Sequence, residues 1–201
     1  MRHGMRRSIE LLALSLLLPL WPAGDADAQF NGALRGDYDV TLLRTCVFSP
    51  VPPGFDANFA SSSVSLIPDI VVTGTATFDG AGGGSSTAVS FTTSGGAAPT
   101  SSINRANQTC TIAYTVNADG SFTETLNCNL TFSHGGPPPQ PGQTATLNNI
   151  VLSGQIAHDG TVLLIKDTTP DIETFTITSG TSSGFVNQRV CTTTGSATSR
   201  R

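Results

Sequence analysis

The spacing of two cysteines fixes the register of a β-hairpin in the middle of this chain. Cys110 and Cys128 lie nine residues on either side of Asp119, in the turn sequence 117–120, Asn-Ala-Asp-Gly. This sequence is typical of a type I turn whose final glycine forms a G1 bulge. A loop over 118–120 makes Asn117 face Ser121, and the same register makes Cys110 face Cys128 as a closely approaching, non-hydrogen-bonded pair. The sequence therefore predicts a cross-strand disulfide.

The chain has four cysteines, and four cysteines allow three pairings. If Cys110 pairs with Cys128, the remaining bridge is Cys46–Cys191, which joins the first long strand to the last. A zinc site is the alternative, but no two cysteines have the spacing of metal ligands and the histidines are scattered. We therefore predict two disulfides, no metal and an oxidising compartment.

Residues 1–28 are predicted to be a signal peptide. Arg2, Arg6 and Arg7 precede an apolar run over 11–20, and the small-residue sequence 26–28, Ala-Asp-Ala, resembles a cleavage site. A buried N-terminal helix is the alternative. Cleavage would leave residues 29–201, which we expect to form one β-barrel domain in the periplasm or outside the cell. No later segment has ~18 consecutive apolar residues, so we expect no membrane-spanning helix in the mature protein.

The composition favours an exported β protein and argues against nucleic-acid binding. The net charge is −4, only 12% of residues are charged, and Lys166 is the single lysine. A weakly acidic surface without a basic cluster does not attract nucleic acid. Threonine and serine are abundant, as expected of outward-facing strand positions.

Three turn signals of the type Asp-Gly recur at a spacing of 40 residues, at 79–80, 119–120 and 159–160. Helical periodicity is absent after residue 28, so we predict an all-β fold. The alternation of apolar and polar residues predicts strands over 36–48, 70–78, 87–93, 109–117, 121–132, 144–157, 161–166, 172–178 and 184–193. The segments 81–86 and 94–102 are predicted to be mobile loops, and 134–142, which contains the run of three prolines 137–139, is predicted to be a stiff loop.

The alternation also predicts which face of each strand is buried. In the central hairpin the even-numbered residues from Ile112 to Phe132 are mostly apolar, whereas the odd-numbered ones are threonine, asparagine and alanine. One apolar face on about eight meandering strands indicates a single up-and-down antiparallel barrel, with a two-sheet sandwich as the alternative. A bridge between the first and last strands favours the barrel, in which these two strands are neighbours.

Short segments at both ends of the predicted domain resemble exported bacterial β-barrel proteins of unknown function, which in turn are similar to calycins. These segments are Gly36-Asp37-Tyr38 and 188–191, Gln-Arg-Val-Cys. The calycins include lipocalins and the barrel of allene oxide cyclase. In lipocalins a Gly-x-Trp motif on the first strand is covered by an arginine from the last strand. The resemblance implies that Tyr38 takes the place of the tryptophan and that Arg189 covers it.

Two glutamates fall on predicted interior faces and are the candidate functional groups. Glu124 lies in phase with Phe122 and Leu126, and Glu173 lies in phase with an apolar face of its own strand. A carboxylate inside a barrel costs several kcal/mol unless it is paired or neutralised.

Arg44 and Arg189 share interior faces with cysteines and could supply partners. The functional hypothesis makes Glu124, Glu173, Arg44 and Arg189, with Tyr38 and Tyr114, the polar part of a ligand site, where a carboxyl group could act as acid or base. The alternative is a structural ion pair that plugs the barrel.

Other catalytic signals are absent from the sequence. His134 and His158 are expected in exposed loops, and there is no nucleophile elbow or phosphate-binding loop. We therefore predict no cofactor. The favoured function is binding of a small apolar or amphipathic molecule inside the barrel. The alternatives are an isomerase or cyclase of the allene oxide cyclase type, and an envelope or interaction protein with a filled barrel. An open pocket of ~300 Å³ or more would be needed for a drug-sized ligand.

Overall fold

The computed structural model of this protein describes residues 30–64, 67–93, 103–134, 140–157, 159–167 and 170–200. The predicted signal peptide, the segment 94–102, the three prolines of 137–139 and His158 lie outside these ranges. A short 3-10 helix, Asn31–Ala33, precedes nine strands. The strands are β1 (Arg35–Pro50), β2 (Asp69–Asp79), β3 (Gly83–Thr93), β4 (Ile103–Val116), β5 (Ser121–His134), β6 (Thr144–Ala157), β7 (Val162–Lys166), β8 (Ile172–Ile177) and β9 (Val186–Ser199).

The nine strands form one antiparallel sheet that closes into a barrel-like ring, which we call the barrel. β1 to β6 follow one another as a meander, and β9 closes the ring by pairing with β1. β7 and β8 share one position, because both pair with β6 on one side and β9 on the other. The predicted up-and-down barrel is thus confirmed and the sandwich is not formed, but one strand position is divided between β7, which ends at Lys166, and β8, which begins at Ile172. Pro170, which has no N–H group for a ladder, lies between these two strands.

The central hairpin has the register that the cysteine spacing predicts. Asn117 N–H donates to Ser121 O at 2.8 Å, and Gly120 has a φ of +78°. Cys110 faces Cys128 in the β4–β5 ladder, and the two form a disulfide with a Cα–Cα distance of 4.0 Å. Cys46 and Cys191 also face each other and form the second disulfide, between β1 and β9. Two disulfides indicate an oxidising, non-cytoplasmic environment.

The apolar face of the hairpin is the interior of the barrel, as predicted. Ile112, Phe122 and Leu130 are buried, whereas Thr123 and Asn127 on the alternate face are exposed. The same alternation runs along β2, where Val72, Ala76 and Phe78 are buried. The core of the protein is therefore the inside of the ring. No helix among the described residues is long and apolar enough to span a membrane.

One predicted loop is wrong. The segment 81–86 was expected to be mobile because it is rich in glycine, serine and alanine, but β3 already begins at Gly83. Gly83 and Gly84 pair with Ala113 and Ile112 on β4, so the ladder holds residues whose own strand propensity is low.

The end of the barrel at which β1 begins is packed, and we call it the closed end. The three Asp-Gly turns lie here, because alternate turns of an up-and-down sheet return to the same end, which accounts for their regular spacing. Their glycines have φ values of +80°, +78° and +83°, in the left-handed region that favours glycine. The interior of the closed end is filled by Asn31, Leu34, Tyr38, Phe78, Tyr114, Val116 and Phe122.

Candidate functional site

A cavity of about 190 Å³ lies inside the barrel, beyond the packed residues of the closed end. Its wall takes residues from all nine strands, and most of them are aliphatic or aromatic. At the far end of the barrel, which we call the cavity end, the wall includes Phe185, which is 44% exposed. Three charged side chains also line the cavity: Arg44, Glu124 and Arg189.

A buried ion cluster stands in one side of this wall, centred on Glu173. Arg44 Nη2 contacts Glu173 Oε1, and Arg189 Nε donates to Glu173 Oε2 at 2.6 Å. Arg44 Nε donates to Thr193 Oγ1 at 2.9 Å. Burial alone would raise the pKa of Glu173, but the charges of Arg189 and Arg44 outweigh it and hold the pKa below its ordinary value. Glu173 is therefore an ionised carboxylate shared by two guanidinium groups.

The strand register places these groups together. Glu173 on β8 faces Arg189 on β9, and Arg44 on β1 faces Thr193 on β9. The Cys46–Cys191 disulfide links β1 to β9 between these two pairs and fixes the strands that carry the arginines. The cluster is thus part of the closure of the ring.

Arg189 lies where β9 begins, next to the ring of Phe48. The guanidinium carbon is 5.8 Å from the centre of that ring, within the range of a cation–π contact. This position differs from the one that the calycin resemblance implies. Tyr38 lies at the closed end, opposite Ser199 in the β1–β9 ladder, whereas Phe48 is opposite Arg189. Arg189 does not cover Tyr38, because the two residues lie at different heights in the barrel.

Glu124 is separate from the ion cluster. Only 5% of its surface is exposed, it lines the cavity, and its carboxyl group makes no hydrogen bond with a described residue. Burial, and to a smaller extent the negative charge of Asp167, raise its pKa from 4.5 to about 7. The expected cluster of two glutamates with two arginines is thus not formed, since both arginines bind Glu173. Sequence periodicity correctly predicts that the Glu124 carboxyl group is interior. The arginine partner that was predicted for it pairs with Glu173 instead.

Two aspartates flank the interruption between β7 and β8. Asp167 is half-buried, and burial raises its pKa against the opposing effects of its hydrogen bonds and of Arg44. Burial and the charge of Glu173 raise the pKa of Asp171. Neither residue was predicted as part of the site, because both lie in the short segment between two strand patterns. They add negative charge to the side of the barrel that holds Glu173.

Two asparagines in the cavity wall have side-chain oxygens without a partner. Asn104 Oδ1 and Asn187 Oδ1 are buried and make no hydrogen bond in the described part of the chain. Both residues lie near the cavity end, at the starts of β4 and β9. A buried polar atom without a partner costs free energy, so these positions favour a bound polar group or water. Nothing in the sequence distinguishes these asparagines from surface ones.

Tyr38 and Tyr114, predicted as ligand-binding residues, do not line the cavity. Tyr38 Oη donates to Gly160 O at 2.6 Å. Tyr114 Oη donates to Leu34 O at 2.8 Å and accepts from Gly80 N–H at 2.9 Å. Burial raises the pKa of both tyrosines, so both hydroxyls remain protonated. Each tyrosine is a structural part of the closed end.

No protein-family model matches this sequence, and no curated protein matches it either. The function is therefore inferred from the residues of the cavity.

Proposed function

We propose that this chain is an exported binding protein with a calycin-like barrel, which holds a small and mostly apolar molecule in its cavity. The observation that carries the proposal is a cavity of about 190 Å³ with an apolar wall and a buried carboxyl group, Glu124, that has no hydrogen-bond partner among the described residues. Apolar pockets with a few placed polar groups are the usual form of small-molecule sites.

The volume limits the size of the ligand. A cavity of about 190 Å³ is smaller than the ~300 Å³ expected for a drug-sized ligand. An apolar cavity of ~150 Å³ in another protein accommodates benzene. We therefore expect a molecule about the size of one substituted ring or a short branched chain. The volume also argues against a barrel filled by its own side chains.

Export is supported by the sequence and by the disulfides. The basic and apolar segment over 1–28 has the form of a signal peptide. Both disulfides join facing strand residues, as expected of a protein that folds in an oxidising compartment. We therefore propose that the mature protein is located in the periplasm or outside the cell.

A proton-transfer enzyme, such as an isomerase or cyclase, is the second candidate. It is favoured by one observation, the pKa of about 7 of Glu124. A carboxyl group with a pKa near the operating pH can both accept and donate a proton. The cavity holds no second group of this kind among the described wall residues, since Arg44 and Arg189 are bound to Glu173. This arrangement favours binding over catalysis.

Native mass spectrometry of protein purified from its own host tests the proposal. The wild type should retain one small molecule, which is released on unfolding. Ser90→Leu places an apolar side chain in the cavity, because Ser90 is buried in its wall. This variant should lose the added mass. Thr87→Leu, an exposed position on the same strand, should keep it. Equal retention by both variants would show that the molecule is bound elsewhere.

A further inference from the structure

The surroundings of Glu124 indicate the chemical class of the ligand. Resting on the proposed function, we propose that the molecule held in the barrel is a small apolar amine, whose positively charged nitrogen pairs with the Glu124 carboxylate.

The neighbours of Glu124 leave its carboxyl group to the cavity. On either side in the barrel wall it faces Tyr114 on β4 and Leu152 on β6. The Tyr114 hydroxyl already donates to Leu34 O and accepts from Gly80 N–H, so it is not free to serve Glu124. The side chain of Leu152 is apolar. None of the described residues donates a hydrogen bond to the Glu124 carboxyl group, so a molecule in the cavity can supply the donor.

The charges around Glu124 favour a cation over an anion. The buried charged groups among the described residues are two arginines and two glutamates, and both arginines are paired with Glu173. Glu124 is therefore the buried carboxyl group without a guanidinium partner, and the charge that acts on it, Asp167, is negative. A carboxylate ligand at Glu124 would add another negative charge beside these two. An ammonium group at Glu124 would supply the missing positive charge and a charge-assisted hydrogen bond.

The apolar wall of the cavity implies that the rest of the ligand is apolar. Glu124 lies near the start of β5, towards the closed end, and faces Leu152, whereas the exposed Phe185 lies at the cavity end. The ligand would therefore enter with its nitrogen first and pack its apolar body against Leu126, Leu130 and Ile150. A volume of about 190 Å³ has room for one ring on a short chain.

Binding of such an amine depends on pH through Glu124. Burial and the charge of Asp167 raise the pKa of Glu124 to about 7, so the carboxyl group is mostly neutral below this pH and ionised above it. Glu173 stays ionised in this range, because the charges of Arg189 and Arg44 hold its pKa below the ordinary value against the effect of burial. An alkylammonium group also stays charged. Affinity for the amine should therefore rise as the pH increases through 7.

Calorimetric titration with three probes of one shape tests this inference: benzylamine, benzyl alcohol and benzoate. At about pH 8, benzylamine should bind the wild type about tenfold more tightly than benzyl alcohol, and benzoate should bind least. At about pH 5.5 the preference for the amine should disappear, because Glu124 is then protonated. This pH dependence is a readout that needs no variant.

Two variants locate the effect. Glu124→Gln keeps the shape of the side chain but cannot ionise, so it should bind benzyl alcohol as before and lose the preference for benzylamine. Asp39→Asn makes the same change of carboxyl to amide at an exposed position outside the cavity and should keep that preference. The inference is overturned if benzoate binds most tightly, or if Glu124→Gln still prefers the amine, while the proposed function stands in both cases. If the wild type binds none of the three probes, the proposed function fails as well.

Discussion

At the closed end, the buried polar side chains of Asn31, Tyr38 and Tyr114 all hydrogen-bond to backbone groups of the barrel. Phe78 packs edge-on against both tyrosine rings, with centroid distances of 5.5 and 5.2 Å. Around the cavity the arrangement is different. Glu124, Asn104 and Asn187 are interior and have polar atoms for which the described residues provide no partner.

We interpret this difference as a separation between a structural part of the barrel and the proposed ligand-binding part. A fully paired polar group stabilises a fold, whereas an unpaired one costs free energy unless something binds to it. The Glu173 cluster is the exception within the cavity wall, because it is charged and paired. We therefore expect substitutions at the closed end and at Glu173 to lower stability, and substitutions at Glu124 to change ligand binding and the pH dependence of stability.

The largest effect is expected from Glu173→Gln. This change leaves Arg44 and Arg189 buried without their common carboxylate, which should cost ~3–5 kcal/mol of unfolding free energy. Asp39→Asn is the matched control, because the Asp39–Arg200 pair is exposed and such pairs contribute less than about 1 kcal/mol. Urea denaturation measures both values. Equal losses for the two variants would contradict a structural role of the buried cluster.

Truncation of core residues should distinguish packed from cavity-lining positions. Phe122→Ala at the closed end should cost ~3–5 kcal/mol, and Leu126→Ala in the cavity wall ~2–3 kcal/mol, because Leu126 already borders empty space. Thr125→Ala, on the outer face, should change stability by less than about 1 kcal/mol. The comparison uses denaturant titrations. A larger loss for Leu126→Ala than for Phe122→Ala would show that the cavity is occupied by well-packed side chains.

Glu124→Gln should change the dependence of stability on pH. The pKa of Glu124 is raised on folding from 4.5 to about 7. The folded state thus binds the Glu124 proton more tightly than the unfolded state does. Protonation of Glu124 therefore stabilises the folded wild type, and this stabilisation is lost as the pH rises through 7. The difference between these pKa values corresponds to about 3 kcal/mol. As the pH rises from about 5 to about 8, the unfolding free energy of the variant should therefore increase by about this much relative to that of the wild type. Parallel pH profiles would show that Glu124 has a carboxylate-stabilising partner.

A smaller loss of stability is expected from Tyr114→Phe. Loss of the hydroxyl leaves Leu34 O and Gly80 N–H without their partner, which should cost ~1–3 kcal/mol. Thermal unfolding measures this loss. A shift in ligand affinity of similar size would contradict the assignment of Tyr114 to the closed end.

The sequence predicts the fold better than the site, for a physical reason. Alternation along a strand determines whether a side chain points inwards, and the positions of Cys110 and Cys128 determine the register of one hairpin. Neither feature determines the height of a residue within the barrel across several strands. Tyr38 and Glu124 were both predicted to be interior, and both are, but only Glu124 lines the cavity. Both arginines pair with Glu173 because of the β8–β9 register, and no turn signal in the sequence predicts that register.

The most direct test of the separation between the two ends is a calorimetric titration of benzyl alcohol into Ser90→Leu and Tyr114→Phe. Ser90→Leu occupies the cavity, so it should lose binding while it remains folded. Tyr114→Phe weakens the closed end, so it should be less stable but bind benzyl alcohol with the affinity of the wild type. If Ser90→Leu binds as the wild type does, or if Tyr114→Phe loses binding while still folded, the account of a structural end and a ligand-binding end is wrong.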